Sequence, residues 1–378
     1  MDDLDLLSEY TSFLQEKKTE GKKIVAFISH DNIPEELIDA ANFIPLRLIF
    51  AGNDDLMDSS HDFLPPSTCA FAQSCIGLFS MKPDQYRFLE LIDYFIVSNH
   101  CVSDICASEI ICKYFNIPRL NFYVPYTKTG RSVDYFKLEL QDFKSQLEKI
   151  KGAQIEDKDI IKSIQKYNNF KKVISRLNDL DVRSSKKLNL LQKAILFGPH
   201  ILPQLEEFIQ VKHSNSNQEY INKKNILMTG CSIFINDSMI DIIEEGGGNV
   251  ILFDTWIGYN YYSQIIKDGT LQPIKDPIEL LANRFENNIY GDHTVSNFLK
   301  AKISFITKFF NDFRSRTGKK LGVINHIIKF CDHFGMFSWQ IKHQLQEKGI
   351  PVLNLERDYS RSIRSALETR IQAFLEML

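Results

Sequence analysis

Residues 23–50 of the 378-residue chain read KIVAFISHDNIPEELIDAANFIPLRLIF, and this stretch decides the fold. The apolar run at residues 23–28 is typical of a short buried strand. Pro34 then suits the first turn of a helix. A second apolar run at residues 45–50 indicates the next strand. Strand, helix and strand in this order predict a parallel α/β sheet.

The same alternation recurs along the chain, with one interruption. Further strands are predicted at residues 93–97, 119–124, 225–229, 249–253, 322–328 and 351–355. From residue 132 to about residue 205 the apolar residues recur only at helical spacing. We therefore expect an α/β fold in which two parallel-sheet domains, of the flavodoxin or Rossmann type, flank a helical segment. The expected units are residues 1–131, 132–221 and 222–378.

Composition places the chain among ordinary globular proteins. Hydrophobic residues make up 44% and charged residues 25%, which excludes disordered and fibrous classes. A net charge of −3 gives no electrostatic footprint for nucleic acid. No apolar run approaches the roughly 20 residues that cross a membrane, and residues 1–18 begin with acidic residues, unlike a signal peptide. We expect a cytoplasmic protein that binds neither nucleic acid nor membranes.

The seven cysteines are the residues most suited to chemistry. An odd number of cysteines in a reducing compartment is not expected to form a disulfide framework. Ligands of open parallel sheets bind beyond the carboxyl ends of the strands, and Cys101, Cys231 and Cys331 follow such ends, while Cys69 lies in a loop-to-helix stretch after the second strand. The other three fall inside predicted helices, where free cysteine is usually a small buried hydrophobe. No compact metal motif is present, so spacing alone gives only candidates.

Other motifs carry less information. Residues 246–248 lack a dinucleotide-binding frame, and there is no P-loop, so the chain is not expected to hydrolyse ATP itself. Glu35 and Glu36 occupy consecutive helix positions and face different directions. We expect one of them to cap or line a site and the other to be solvated. His30 suits a site residue and a structural histidine equally well.

Several segments resemble the 2-hydroxyacyl-CoA dehydratase and benzoyl-CoA reductase family. They are residues 30–45 (HDNIPEELIDAANFIP), 67–78 (STCAFAQSCIGL) with Cys69, 97–104 (VSNHCVSD) with Cys101, 228–231 (MTGC), 280–285 (LLANRF), 329–335 (KFCDHFG) with Cys331, and 339–358 (WQIKHQLQEKGIPVLNLERD). The resemblance runs from about Gly21 to the C-terminus and is weakest in the helical middle. The chain length and the KFCD segment are more similar to the smaller, β-type subunit of the family.

The resemblance implies an enzyme subunit with a 4Fe-4S cluster on Cys69, Cys101 and Cys331, between the two α/β domains. Three thiolates would leave one iron open. The implied partners are a related larger subunit and a separate ATP-hydrolysing iron–sulfur activator, which would supply a low-potential electron. The implied substrate is an acyl-CoA thioester, converted through a ketyl radical by 2-hydroxyacyl-CoA dehydration or by benzoyl-CoA-type reduction.

The resemblance also suggests catalytic residues at the end of the first strand. Ser29, His30 and Glu35 are expected to border the space above the cluster. A hydroxyl or imidazole there would donate a hydrogen bond to the thioester oxygen as negative charge develops on it. The competing interpretation is that Ser29 and His30 only cap the following helix.

Two alternative functions stay open. The first is an ATP-dependent reductase of small molecules with a double-cubane 8Fe cluster, for which Cys231 would be a further ligand. The second is a non-catalytic α/β assembly subunit that keeps the fold without turnover.

Overall fold

A computed structural model gives the fold and describes residues 3–28, 32–214, 223–266, 276–287 and 297–378. The strands are β1 (Ile24–Ile28), β2 (Ile44–Leu48), β3 (Tyr94–Ser98), β4 (Arg119–Phe122), β5 (Lys224–Gly230), β6 (Gly248–Asp254), β7 (Leu321–Ile328) and β8 (Val352–Arg357). Every strand predicted from the sequence is present, and each end lies within two residues of its predicted position.

Helices connect the strands and fill the chain between the two sheets. They are α1 (Asp3–Thr19), α2 (Glu35–Ala40), α3 (Asp54–Ser59), α4 (Ala70–Met81), α5 (Val102–Tyr114), α6 (Gly130–Lys151), α7 (Asp157–Ser175), α8 (Ser184–Phe197), α9 (Leu202–Ser214), α10 (Met239–Glu245), α11 (Tyr259–Tyr262), α12 (Pro277–Asn287), α13 (Phe298–Thr317), α14 (Asp332–Gln346) and α15 (Arg364–Met377). Short 3₁₀ segments lie at Ser60–Asp62, Asp84–Leu91, Arg176–Asp179, Gly198–Ile201 and Arg361–Ile363. None of the helices in the described ranges is long and apolar enough to span a membrane. The exact domain boundaries stay a prediction.

The two sheets share one topology. Their strand orders are β2-β1-β3-β4 and β6-β5-β7-β8, and all paired strands are parallel. This confirms the predicted fold class of two parallel-sheet domains. In each sheet the strand order extends in opposite directions from a switch point. This point lies between β1 and β3 in the first sheet and between β5 and β7 in the second. Ligand crevices form at the carboxyl ends of strands beside such switch points.

Successive residues of a strand point to opposite faces of the sheet. Both faces of each sheet are covered by apolar side chains. In β1, Ala26 faces an apolar core that extends into the second domain, whereas Phe27 faces a core built with α6, α7 and α12. In β5, Met228 belongs to the shared core, and Leu227 belongs to a third core with α13 and α14. The shared core therefore holds the two sheets against each other.

Two contacts join the end of β2 to the loop that follows β5. The Ala51 amide donates to the Ile235 carbonyl over 2.8 Å, and the Ile235 amide donates to the Ile49 carbonyl over 2.9 Å. Beside this bridge, the Phe71 ring of α4 stacks on the Phe234 ring with centroids 4.0 Å apart. These contacts hold α4 against the carboxyl end of the second sheet.

Candidate metal centre

The three predicted cluster ligands share one local structure. Cys69, Cys101 and Cys331 are the N-cap residues of α4, α5 and α14. Backbone amides of the following first turn lie close enough to each of the three sulfurs to act on its pKa in the lowering direction. Such amides, together with the positive end of the helix dipole, stabilise a thiolate. Burial and the neighbouring groups outweigh these amides, so the pKa of each of the three thiols is raised in the folded chain.

The thiols of four distant segments meet in one place. The thiol of Cys331 lies close enough to the thiols of Cys69 and Cys231 for both to shift its pKa. Burial is the main cause of the raised pKa of Cys101, and the nearby charges of Cys69 and Cys331 add to it. The structure thus brings together the three predicted ligands and Cys231, which the sequence marked only as a further candidate.

Sheet topology explains why these segments meet. Cys231 follows β5 and Cys331 follows β7, the two strands that flank the switch point of the second sheet. Cys101 follows β3, which flanks the switch point of the first sheet. The amide of Ala70, the first residue of α4, donates to the Lys329 carbonyl over 3.2 Å and so ties α4 to the end of β7.

A strained turn presents Cys331. Phe330 has a left-handed backbone with φ 63°, which bulky L-residues rarely adopt, and its ring is 42% exposed. On either side of it, the Lys329 amide donates to the Arg357 carbonyl over 2.6 Å and the Cys331 amide donates to the Ile328 carbonyl over 2.9 Å. Backbone strain of this kind concentrates at ligand-binding sites, where the surrounding structure maintains it.

Burial and mutual contacts disfavour the thiolate form of the three candidate ligands. The contact with Cys331, followed by burial, raises the pKa of the Cys69 thiol well above its ordinary value. Burial and then the Asp104 carboxyl raise the pKa of Cys101. The contact with Cys231 raises the pKa of Cys331, and the contact with Cys69 only partly offsets this. A metal or cluster that binds here must therefore displace protons, so its affinity depends on pH.

The donor set fits a cluster better than a single ion. Within the described ranges, no three His, Cys, Asp or Glu side chains surround a position for one metal ion. Iron–sulfur clusters are held by cysteine thiolates, which bind separate irons. Thiols are the ligand type that this site offers, and the cluster itself stays a prediction.

Two buried polar groups near the thiols are consistent with a further group bound in this site. The Tyr359 hydroxyl and Oδ2 of Asp104 have no hydrogen-bond partner among the described residues. Burial is the main cause of the raised pKa of Tyr359, and the charges of Cys69 and Cys231 add to it. Burial also raises the pKa of Asp104 to about 7. A buried donor without a partner costs about 1–3 kcal/mol, so the Tyr359 hydroxyl fits a site that takes up a further acceptor.

A buried polar network fixes the backbone of Cys231. Arg357 Nε donates to His326 Nε2 over 3.0 Å, and Arg357 also pairs with Asp237. Since Nε2 accepts, His326 carries its proton on Nδ1, which donates to the Cys231 carbonyl over 2.9 Å. Burial, and then the Arg357 charge, lower the pKa of His326 to about 3. His326 is therefore neutral at physiological pH.

The predicted catalytic residues are described only in part. Ser29 and His30 lie outside the described residues, so their roles stay predictions. Glu35 is buried, with Arg47 at 3.3 Å from Oε1 and the Tyr261 hydroxyl donating to Oε2 over 3.0 Å. Both carboxylate oxygens thus have protein partners, and a role of Glu35 in the chemistry stays a prediction.

The expectation that one of the paired glutamates is solvated is wrong. Glu36 is 1% exposed, with Arg284 at 2.5 Å and Lys171 at 3.4 Å from its Oε1. Burial opposes ionisation, but the charges of Arg284 and Lys171 outweigh it and lower the pKa of Glu36 to about 2. The cause is that α7 supplies Lys171 and α12 supplies Arg284, and both pair with Glu36. No local pattern in the sequence marks such distant partners.

The remaining cysteines lie in helices, as predicted. Cys75 is fully buried in α4, which confirms its interpretation as a small core residue. In α5, Cys112 is half-buried and Cys106 is exposed, so the general expectation of burial fails for Cys106.

Comparison with known proteins identifies the family. Residues 32–378 match the family model described as 2-hydroxyglutaryl-CoA dehydratase, D-component. The chain belongs to this family. It is 24% identical over 357 residues to the (R)-phenyllactyl-CoA dehydratase beta subunit of Clostridium sporogenes, covering 91% of this chain and 89% of the relative. It is 22% identical over 358 residues to the lactoyl-CoA dehydratase subunit beta of Anaerotignum propionicum, with coverages of 91% and 89%.

A third relative also has the name of a dehydratase subunit. A putative dehydratase subunit of Escherichia coli strain K12, YjiM, is 22% identical over 361 residues, covering 92% of this chain and 89% of the relative. These comparisons confirm the family that the cysteine segments indicated. The three named relatives are dehydratase subunits, and none of them is a benzoyl-CoA reductase.

Proposed function

We propose that the chain is the iron–sulfur, β-type subunit of a 2-hydroxyacyl-CoA dehydratase. The observation that carries the proposal is the meeting of Cys69, Cys101 and Cys331 at the starts of three helices. The match to the dehydratase family over residues 32–378 supports the same conclusion.

Cys69, Cys101 and Cys331 would hold a 4Fe-4S cluster, which supplies a low-potential electron when bound. The amides at the starts of α4, α5 and α14 would stabilise the thiolates that hold it. Cys69 is 8% exposed, so its sulfur interacts with those amides in a medium of low dielectric. The chain thereby supplies binding, orientation and protection from water.

The proposed assembly has two further proteins. The relatives are named as beta subunits, which supports pairing with a related larger subunit. Because the sequence has no P-loop, the electron would come from a separate ATP-hydrolysing iron–sulfur activator. In this proposal the dimer dehydrates a 2-hydroxyacyl-CoA, with no net reduction, to a 2-enoyl-CoA and water.

The residues after β1 are proposed to act on the thioester. An electron delivered to the thioester carbonyl would give a ketyl radical anion, from which the hydroxyl group leaves as hydroxide. Loss of a β-proton and return of the electron would then give the 2-enoyl-CoA and water. Ser29 and His30 are proposed to donate hydrogen bonds to the ketyl oxygen, which carries the developing charge. The Tyr261 and Arg47 contacts with Glu35 would hold the start of α2 in place.

The decisive experiment is anaerobic reconstitution with the larger subunit, the activator and ATP. We expect 2-enoyl-CoA to form from a 2-hydroxyacyl-CoA, as followed by chromatography, and to require the activator. Cys101→Ala should abolish turnover, whereas Cys106→Ser, at an exposed position outside the thiol set, should leave it unchanged. An iron-free chain that still pairs with the larger subunit would favour the non-catalytic assembly subunit instead.

A further inference from the structure

We infer that Asn99 is a positioning residue for Cys101, because its side-chain amide takes over the pairing with the chain after β4 and fixes the point where the cysteine leaves the first sheet. The inference rests on the proposed function, since it concerns one ligand of the proposed cluster. Asn99 lies between Ser98, the last residue of β3, and Cys101. It is not a residue that the cysteine pattern of the sequence marks.

The side chain of Asn99 forms two hydrogen bonds with the backbone of a single residue beyond β4. Nδ2 of Asn99 donates to the Val124 carbonyl over 2.9 Å, and the Val124 amide donates to Oδ1 of Asn99 over 2.7 Å. Val124 is 2% exposed, so water has little access to its backbone. The Asn99 amide therefore satisfies both backbone polar groups of Val124, as a neighbouring strand would do.

This pair of hydrogen bonds stands where the backbone ladder of the first sheet ends. The last paired residues of β3 and β4 are Ser98 and Phe122. In a longer parallel ladder, the backbone after Ser98 would have to stay beside the backbone after Phe122. Since the Asn99 side chain reaches Val124 instead, the backbone of residues 99–101 can turn away from the sheet. Cys101 then becomes the N-cap residue of α5.

A third hydrogen bond acts on the backbone of Asn99. The Tyr126 hydroxyl donates to the Asn99 carbonyl over 2.5 Å. On the other side of the cysteine, the Ile105 amide of α5 donates to the Cys101 carbonyl over 2.9 Å. Within the described residues, the Cys101 side chain itself makes no capping hydrogen bond. The position of its sulfur is therefore set by the backbone, which α5 holds on one side and the Asn99 contacts hold on the other.

A matched pair of hydrogen bonds elsewhere on β4 separates positioning from general stability. Nε2 of Gln146, in α6, donates to the Asn121 carbonyl over 2.9 Å, and the Asn121 amide donates to Oε1 of Gln146 over 3.0 Å. The chemistry and the strand are the same. The Gln146 contacts fasten α6 to β4, whereas the Asn99 contacts fasten the segment that carries Cys101.

The first test uses the iron-free, full-length chain, so that its result does not depend on a bound cluster. The chain is labelled anaerobically with N-ethylmaleimide, and peptide mass spectrometry compares the rate at Cys101 with the rate at exposed Cys106 in the same helix. Asn99→Leu should raise this ratio about tenfold, because opening of the segment then breaks two fewer hydrogen bonds. Gln146→Leu should leave the ratio unchanged. Tyr126→Phe, at a residue that is 51% exposed, should raise it by a smaller factor.

The second test uses the same variants after anaerobic reconstitution with iron and sulfide. Asn99→Leu should lose iron to a ferrous chelator faster than the wild type, and Gln146→Leu should match the wild type. An unchanged labelling ratio in Asn99→Leu, or an equal rise in Gln146→Leu, would overturn the inference while a wild-type cluster left the proposed function intact. A wild-type chain that takes up no iron would overturn the proposed function and, with it, the ligand that Asn99 is inferred to position. Tyr126→Phe decides the matter if Asn99→Leu does not fold.

Discussion

The Tyr261 hydroxyl donates to Oε2 of Glu35 over 3.0 Å and joins residues that are 226 positions apart. The Tyr261 ring also contacts two cations: Arg47 lies 5.3 Å and Lys171 lies 5.2 Å from the ring centroid. Buried cation–π contacts of this kind stabilise a fold. Tyr261 follows β6, whereas its partners belong to α2, β2 and α7, so this one side chain connects the two sheets and the helices between them.

Replacing Tyr261 by Phe keeps the ring and removes the hydroxyl. The buried Glu35 carboxylate then loses a donor, so we expect the free energy of unfolding in urea to fall by about 1–3 kcal/mol. Tyr114→Phe is the matched control, because Tyr114 is 57% exposed, and its effect should stay within about 0.5 kcal/mol. Equal effects of the two substitutions would show that the Glu35 contact does not contribute.

The buried ion pair of Lys302 and Asp254 gives a larger expected loss of unfolding free energy. Lys302 Nζ lies 2.9 Å from Asp254 Oδ1, both side chains are fully buried, and the Thr229 hydroxyl donates to Oδ2. Lys302→Met leaves the carboxylate without its cation and should cost about 3–5 kcal/mol in urea unfolding. The double variant Lys302→Met/Asp254→Asn should recover part of this loss. A double variant no more stable than Lys302→Met would indicate lost packing instead of unpaired charge.

Two glycines separate backbone strain from steric conflict. Gly230 and Gly21 both have positive φ, at 95° and 78°, but only at Gly230 would a Cβ meet another atom within 4 Å. Alanine at either position pays about 1–2 kcal/mol for the left-handed backbone. Gly230→Ala must in addition push β7 away from β5, so its loss of unfolding free energy should clearly exceed that of Gly21→Ala. Similar losses would contradict the close approach that positions Cys231.

The pH dependence of stability should reveal the neutral His326. Its pKa is about 3 in the folded chain, against an ordinary value of about 6.5, so between these values the unfolded chain binds the extra proton. Its contribution is therefore complete above pH 6.5 and is lost as the pH falls towards 3, at up to about 1.4 kcal/mol per pH unit. Urea unfolding of the wild type and His326→Gln from pH 8 to pH 4 measures this. The variant should have the shallower slope below pH 6.5, and identical slopes would refute the assignment.

Much of the fold was predictable because its signals are local. The run Ile24–Ile28 is apolar throughout, as a strand covered on both faces must be, and the same holds for most of Leu321–Ile328. The switch-point rule then places Cys101 and Cys331 at the crevice side of their sheets, which is where they lie.

What the sequence did not predict depends on contacts between distant segments. One of Glu35 and Glu36 was expected to be solvated because nothing near Glu36 in sequence indicates Arg284 or Lys171, which pair with its buried carboxylate. The closeness of Cys231 to Cys331 depends on how closely β5 approaches β7 at Gly230. A glycine directly before a cysteine can indicate a close approach of two backbones. The sequence does not show which strand lies on the other side.

The central claim is that Cys69, Cys101 and Cys331 hold an iron–sulfur cluster, and iron content tests it most directly. Each of the three Cys→Ala variants, purified anaerobically as the full chain, should lose iron together with the broad thiolate-to-iron charge-transfer absorption. Cys112→Ala, near the C-terminal end of α5 and outside the thiol set, should retain both. A full complement of iron in any one of the three variants would contradict the claim.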